Sequence, residues 1–355
     1  MLNRFTQELL NWYRQNKRDL PWRKTKDPYH IWLSEVIMQQ TRISQGLPYY
    51  YRFIETYHTV AELAAASEQE ILHIWQGLGY YSRACNLHQA AQDIMERLNG
   101  RFPSTYEEIL RLKGVGLYTA AAIASIAFDY PHAVVDGNVI RFLSRYYGIQ
   151  KPVDHPDTRN AIACLAEELL HPEFPGEYNQ ALMEFGALVC TPTAPSCSGC
   201  IFRKKCLARR RNLVHVIPIR KKRAPHVDRY FHYLVILPAN RHPLSIYLNK
   251  RSGNDIWKHL YDFPMTETLT PVRLSELQKT GLFNLVAAQD TTKIKVIPGT
   301  YEHRLTHQRI VARFYRVHGM RPAKKTGILV PVRDLSLFPL PRLITRFLTD
   351  HPLEG

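Results

Sequence analysis

Two acidic side chains offer the most specific chemistry in this chain. Glu35 lies in the stretch PYHIWLSEVIMQQ (28–40), which reads as a helix. Ile31, Trp32 and Met38 are its neighbours three and four positions away. A carboxyl among apolar groups has its charged form disfavoured, so its pKa rises and it can serve as a general acid near neutrality. The plainer alternative is a Glu at the edge of an apolar face that reaches water. Asp136, in VVDGNV (134–139), stands where a helix opening at Gly137 needs an N-cap, and it could do no more than cap. Paired, the two would suit glycosidic cleavage. One protonates the leaving group, and the other, ionised, stabilises an oxocarbenium-like sugar.

Four thiols follow the pattern Cys190-x6-Cys197-x2-Cys200-x5-Cys206. Such spacing in a reducing compartment points to a metal rather than to disulfides, and it fits zinc or a [4Fe–4S] cluster. Zinc sites usually come as two close pairs; only one pair is close here, which leans toward the cluster and leaves zinc open. Its expected role is structural, folding a loop that carries Arg203, Lys204 and Lys205 toward nucleic acid. Cys85 and Cys164 fall within expected helices and read as ordinary buried thiols.

A third element is the turn Lys113-Gly114-Val115-Gly116 between expected helices at 104–111 and 117–128. Glycine lets a backbone come close to a phosphate, and the next helix presents its positive end. A mere connector is the alternative. The charge balance favours the phosphate: 47 basic against 31 acidic residues give a formal +16, which points to nucleic acid before membrane. No apolar run reaches the roughly 18–20 residues of a bilayer span. The first eighteen residues are amphipathic and charged, unlike a secretory signal. A soluble, intracellular, cytoplasmic monomer is expected.

The elements that must position these groups change character along the chain. Residues 1–208 read as successive helices broken by Pro and Gly, with Phe5, Leu9 and Trp12 on the apolar face of the first. Residues 209–227 form a basic linker carrying Arg209-Arg210-Arg211 and Arg220-Lys221-Lys222-Arg223. From 228 to 355 the period turns to two at 230–237, 244–248 and 309–317, with helical stretches near 271–280 and 341–350, an α+β pattern.

A family resemblance now emerges. LPWR (20–23), WLSEVIMQQT (32–41), GLGYYSRACNLH (77–88), LKGVGLYTAAAI (112–123), VVDGNV (134–139) and the cysteine set resemble, in this order, the MutY adenine DNA glycosylases of the helix-hairpin-helix superfamily. The resemblance covers nearly all of the first 210 residues. The second half is similar, more weakly, to that family's Nudix-like C-terminal domain. The resemblance implies a mainly α helix-hairpin-helix glycosylase domain with a [4Fe–4S] loop at 190–206, joined to an α+β Nudix-like 8-oxoguanine recognition domain. It implies that Glu35 protonates adenine N7, that Asp136 stabilises the sugar cation, and that Asn138 supports the site. Tyr118 stands where endonuclease III enzymes carry a Schiff-base lysine, which implies a monofunctional enzyme that leaves an abasic site.

The same resemblance places Trp22, Arg23 and Gln180 around the extruded adenine. Gln40, Thr41, Leu78 and Tyr80 fall beside the opened base stack, and Lys113, Gly114 and Gly116 on the DNA backbone. Cys190, Cys197, Cys200 and Cys206 become the cluster ligands. His303-Arg304-Leu305-Thr306-His307 aligns with the family's Phe-Ser-His loop for 8-oxoguanine; Leu replaces Phe, whereas Thr306 keeps a hydroxyl and His307 a ring donor. The partner implied is duplex DNA with adenine opposite 8-oxoguanine or guanine. Glutamates that would hold Mg²⁺ for nucleotide hydrolysis are missing from the second half. The rival readings are an endonuclease III-like glycosylase/lyase and a non-catalytic Fe–S DNA-binding module.

Overall fold

Capping side chains and prolines cut the first half of the chain into short helices. In the computed structural model the described residues are 4–221, 226–238, 243–253, 255–279, 281, 283, 294–305, 307–318 and 327–353. The first helices are α1 (Arg4–Asn16), α2 (Pro28–Met38), α3 (Ile43–Thr56), α4 (Val60–Ala65), α5 (Glu68–Ile74) and α6 (Ser82–Arg97). They are followed by α7 (Tyr106–Leu110), α8 (Leu117–Phe128), α9 (Gly137–Tyr147), α10 (Pro156–Glu168), α11 (Pro175–Leu188) and the short α12 (Leu207–Arg210). Asp27 caps α2 by accepting from Tyr29 N, and Thr105 with Glu108 closes a capping box on α7.

α2 and α8 are buried on most sides, as helices apolar all round must be. α1, α9 and α10 bury one stripe each, α11 is buried round most of its circumference, and Phe5, Leu9, Tyr13, Phe142, Tyr178 and Phe185 meet in one core with Phe202. Tyr13 rather than Trp12 is the fully inward aromatic of α1. A side chain at Gly186 would stand 2.7 Å from the Asn138 carbonyl, so glycine there lets α11 close onto the start of α9. Two expectations need correcting. α2 stops at Met38, and Gln40 follows with a left-handed φ of 56°. Cys164 is exposed and Cys85 half-buried, because neither faces the apolar stripe of its helix.

The chain divides into two compact units, Met1–Ala66 with Cys85–Lys222 and Ser67–Ala84 with Arg223–Gly355. Ser67–Ala84 thus clusters with the second unit although it lies within the helical segment of the sequence. There Gln69 Nε2 donates to Leu337 O, and Lys250 pairs with Glu68.

The rest of the second unit is built on β1 (Val227–Leu237), β2 (Ser245–Lys250), β3 (Tyr261–Asp262) and β4 (Met265–Thr268). The short α13 (Leu274–Leu277), then β5 (Ile294–Val296), β6 (Tyr301–Arg304), β7 (Gln308–His318), β8 (Ile328–Pro331) and α14 (Arg342–Asp350) complete it. β1 and β7 run parallel over eleven paired residues at the centre of the order β4-β1-β7-β5, with β6 also on β7. A second sheet has the order β3-β2-β8. Phe231, Tyr233, Val235 and Phe314 bury on one face against Phe347 of α14, and Leu234, Ile236 and Val317 bury on the other. Burial on both faces is why β1 reads as a continuous apolar run. Among the described residues no helix is long and apolar enough to cross a membrane.

Candidate active site

Glu35, in the interior of α2, meets Tyr118, in the first turn of α8. Tyr118 Oη donates to Glu35 Oε2 at 2.6 Å and lies 3.6 Å from Met183 Sδ on α11. Burial raises the Glu35 pKa to about 7; the Tyr118 hydrogen bond and Arg23 oppose that rise, and the Asp136 charge adds to it. The Tyr118 phenol is pushed well up by burial and by the two nearby carboxylates, so it stays a donor.

Asp136 caps α9. Its Oδ1 accepts from Asn138 N at 2.8 Å and Val139 N at 2.7 Å, and its Oδ2 accepts from Asn138 Nδ2 at 2.5 Å. Burial raises its pKa too, against the hydrogen bonds from Val139 and Asn138 and the charge of Arg141. Asp136 accepts three donors, where Glu35 has Tyr118. In this pair the negative charge therefore settles on Asp136 and the proton on Glu35. Asn138 Oδ1 in turn accepts from Arg141 Nη2 at 2.9 Å, and Arg141 Nε donates to Cys190 O at 2.7 Å.

Arg23 ends a 3-10 turn, Pro21–Arg23, that follows α1. Its guanidinium forks onto Glu184 of α11, with Nη1 to Oε1 at 2.9 Å and Nη2 to Oε2 at 2.8 Å. It also sits over the Tyr13 ring, 5.4 Å from its centroid, and Tyr13 Oη donates to Gln180 Oε1 at 2.8 Å. Trp22 is half-buried and edge-on to Tyr50 at 5.1 Å. Glu35, Tyr118, Asp136, Asn138, Arg23 and Gln180 thus belong to one connected neighbourhood. Glu184, Met183 and Arg18 join it without having been read from the sequence. Glu184 carries the same signal as Glu35, an acid inside an apolar helical run (ALMEFGAL), which could have found it.

In the turn between α7 and α8, Lys113, Gly114 and Gly116 are exposed. Gly114 has φ 77°, and a Cβ there would strike Asn86 at 2.7 Å. Gly116 is the N-cap of α8, makes no side-chain cap, and has open space where a Cβ would stand. The first amides of α8 therefore have an open approach, the arrangement that receives a phosphate.

Gln40 is exposed, whereas Thr41 is half-buried and its Oγ1 donates to Gln39 O at 3.3 Å. In the other unit, Leu78 is buried and Tyr80 is half exposed with a left-handed φ of 48°, its ring beneath the Arg83 guanidinium. His307 is exposed in the turn between β6 and β7, Leu305 packs against the sheet core, and Thr306 lies outside the described residues.

Cys190, Cys197, Cys200 and Cys206 line one cavity with Phe142, Phe185, Phe202 and Arg145. Burial pushes the Cys200 thiol up to about 11 and raises Cys190, against the charges of Arg145 and Arg141. Arg145 Nη1 stands 3.5 Å from Cys190 Sγ, and its guanidinium also donates to the carbonyls of Thr191 and Pro192 at 2.7 and 2.9 Å. The four thiols share one apolar pocket, a donor set of the type that holds a metal, although no three of their sulfurs lie within 4.8 Å of one another.

Helix, two-glycine turn, helix, and then an acidic cap beside a buried carboxyl define the helix-hairpin-helix class of base-excision DNA glycosylases. Residues 33–168 match the HhH-GPD superfamily base excision DNA repair protein family, and residues 232–350 match the NUDIX domain. Among solved structures, a thermostable thymine-DNA glycosylase is 31% identical with a TM-score of 0.54, covering 58% of this chain and 95% of its own. A non-covalent endonuclease III–DNA complex, 21% identical with a TM-score of 0.51 over 59% of this chain and 95% of its own, shares the fold. The adenine DNA glycosylase of Buchnera aphidicola subsp. Schizaphis graminum is 31% identical over 350 residues, 97% of each chain. The human adenine DNA glycosylase is 44% identical over 216 residues, 58% of this chain and 40% of its own. The chain belongs to the adenine DNA glycosylase family, enzymes of base excision repair.

Proposed function

We propose that this enzyme removes adenine mispaired with 8-oxoguanine or guanine by hydrolysis alone and leaves an abasic site. The observation that carries this reading is the Tyr118–Glu35 hydrogen bond, which sets a phenol, not an amine, beside the acid. A phenol cannot form a Schiff base with C1′, so β-elimination is not promoted. The adenine is taken out of the stack and held among Trp22, Arg23 and Gln180. Glu35, protonated near neutrality, delivers its proton to N7 and makes the base a better leaving group. As the glycosidic bond stretches, positive charge grows on the sugar, and ionised Asp136 stabilises it. Asn138 holds the Asp136 carboxylate in place. Water completes the hydrolysis.

Duplex DNA is gripped at Lys113, Gly114 and Gly116. Gln40, Thr41, Leu78 and Tyr80 are the residues that meet DNA beside the opened stack. Thr306 and His307 read 8-oxoguanine. The four cysteines hold a [4Fe–4S] cluster that supplies structure to the loop carrying Arg203, Lys204 and Lys205. The enzyme works inside the cell as a monomer. The test is a single-turnover assay on adenine·8-oxoguanine and adenine·guanine duplexes, with borohydride added in parallel. Released adenine without a trapped protein–DNA adduct is the expected result; efficient trapping would overturn the monofunctional reading, and no release would overturn both.

A further inference from the structure

The reaction as described leaves Glu184 unused, yet among the described residues of the first unit no carboxylate accepts more hydrogen bonds. It is 1% exposed. Arg18 N and Arg18 Nε donate to its Oε1 at 2.9 Å each, and Arg18 Nη2 reaches Oε2 at 2.5 Å. Arg23 adds the two further bonds given above. Burial opposes its ionisation, but the bonds from Arg18 and Arg23 outweigh burial and bring its pKa down to about 2. It is therefore a fixed anion. Two guanidinium groups share that single anion, so the cluster carries one net positive charge. Arg23 acts on Glu35 directly, favouring its ionised form.

We infer that Glu184, held by Arg18 and Arg23, is a positioning residue that sets the working pH of the glycosylase by cancelling part of the positive charge Arg23 brings to Glu35. The inference rests on the reading of Glu35 as the general acid. A bare guanidinium beside an acid that must stay protonated would strip its proton at neutral pH. A neutralised one can hold the base without doing so. The fork also fixes which way Arg23 points, since its planar donors match one carboxylate only in register. The charges facing Glu35 are Tyr118 from α8, Asp136 at the start of α9, and Arg23 from the 3-10 turn. Those facing Glu184 are Arg18 and Arg23, with Tyr13 of α1 beyond them. Arg141 of α9 acts on Asp136.

Two substitutions move the net charge in opposite directions. Glu184→Gln leaves two uncancelled arginines, so the pH at which single-turnover excision is half lost should fall by about half a unit or more. Arg18→Gln leaves Glu184 to Arg23 alone, so that midpoint should rise. Arg18 is partly exposed, so this variant folds even if Glu184→Gln proves unstable. A purely structural role would lower the rate at every pH without moving either midpoint, and that result would overturn the inference. Glu35→Gln, measured alongside, separates the two claims. Retained turnover there defeats the general-acid reading. A dead Glu35→Gln with unmoved midpoints in the other two defeats only the role of Glu184.

Discussion

The Tyr118 hydroxyl and Glu35 Oε2 lie 2.6 Å apart, and the donor is held neutral by burial. This bond favours the ionised form of Glu35, opposite to what a general acid needs, and burial outweighs it. The bond therefore tunes the acid downward toward neutrality and orients it. Tyr118→Phe should raise the Glu35 pKa, so excision should persist to higher pH than in the unaltered enzyme. The pH dependence of single-turnover adenine release checks this; a midpoint that stays or falls contradicts it.

Glu35→Gln should reduce excision by about 10² or more, the usual scale of a lost general acid, with duplex binding largely intact by gel shift. Its stability follows from linkage. The folded pKa, about 7, is raised above the ordinary 4.5. The contribution of the protonated group is thus fully present below the unfolded value and is lost as pH rises through the folded one. Glu35→Gln should match the parent near pH 4.5 and gain up to about 3 kcal/mol by pH 8. Melting temperatures across that range measure the gap, which should widen with pH.

Asp136 both caps α9 and supplies charge, and two substitutions divide these roles. Asp136→Asn keeps an oxygen for the Asn138 and Val139 amides but loses the anion, so excision should collapse with little change in melting. Asp136→Ala should also lose about 1–2 kcal/mol from the missing cap. Chemical denaturation and excision measured on both variants provide the comparison.

In the two-glycine turn, Gly114→Ala meets a positive φ and the Asn86 side chain, and should cost about 1–3 kcal/mol. Gly116→Ala meets nothing within 4 Å, so stability should hold. A Cβ there stands on the path of an approaching phosphate, so affinity for any duplex should fall. A Gly116→Ala protein with unchanged DNA affinity would remove this turn from the interface.

The purified protein should be brown and contain iron and sulfide in equal amounts. Cys200→Ser should lower both together with the melting temperature. Zinc with no iron in the native protein would assign the cavity to the other metal.

Much of the first unit was legible because its signals are local. The spacing of PYHIWLSEVIM places Glu35 inside an apolar helix, Asp136 before Gly137 is an N-cap by type, and the paired glycines mark the turn before α8. Gln40 escaped this reading: periodicity carries through to it, but the backbone turns left-handed there. Thr41 and Leu78 were expected near opened DNA, and their burial is set by neighbours no short window contains.

From the residues alone came the succession of helices, three of the eight described strands, the four-thiol loop, the basic charge and the two acids worth pairing. Only the tertiary structure decided that Tyr118 donates to Glu35, that Arg23 is tied to Glu184, and that Ser67–Ala84 clusters with the second unit. The reason is physical. Periodicity and capping record which face of an element turns inward and where it stops; they carry no information about which distant side chain it will meet. The pKa of a buried acid depends on that meeting.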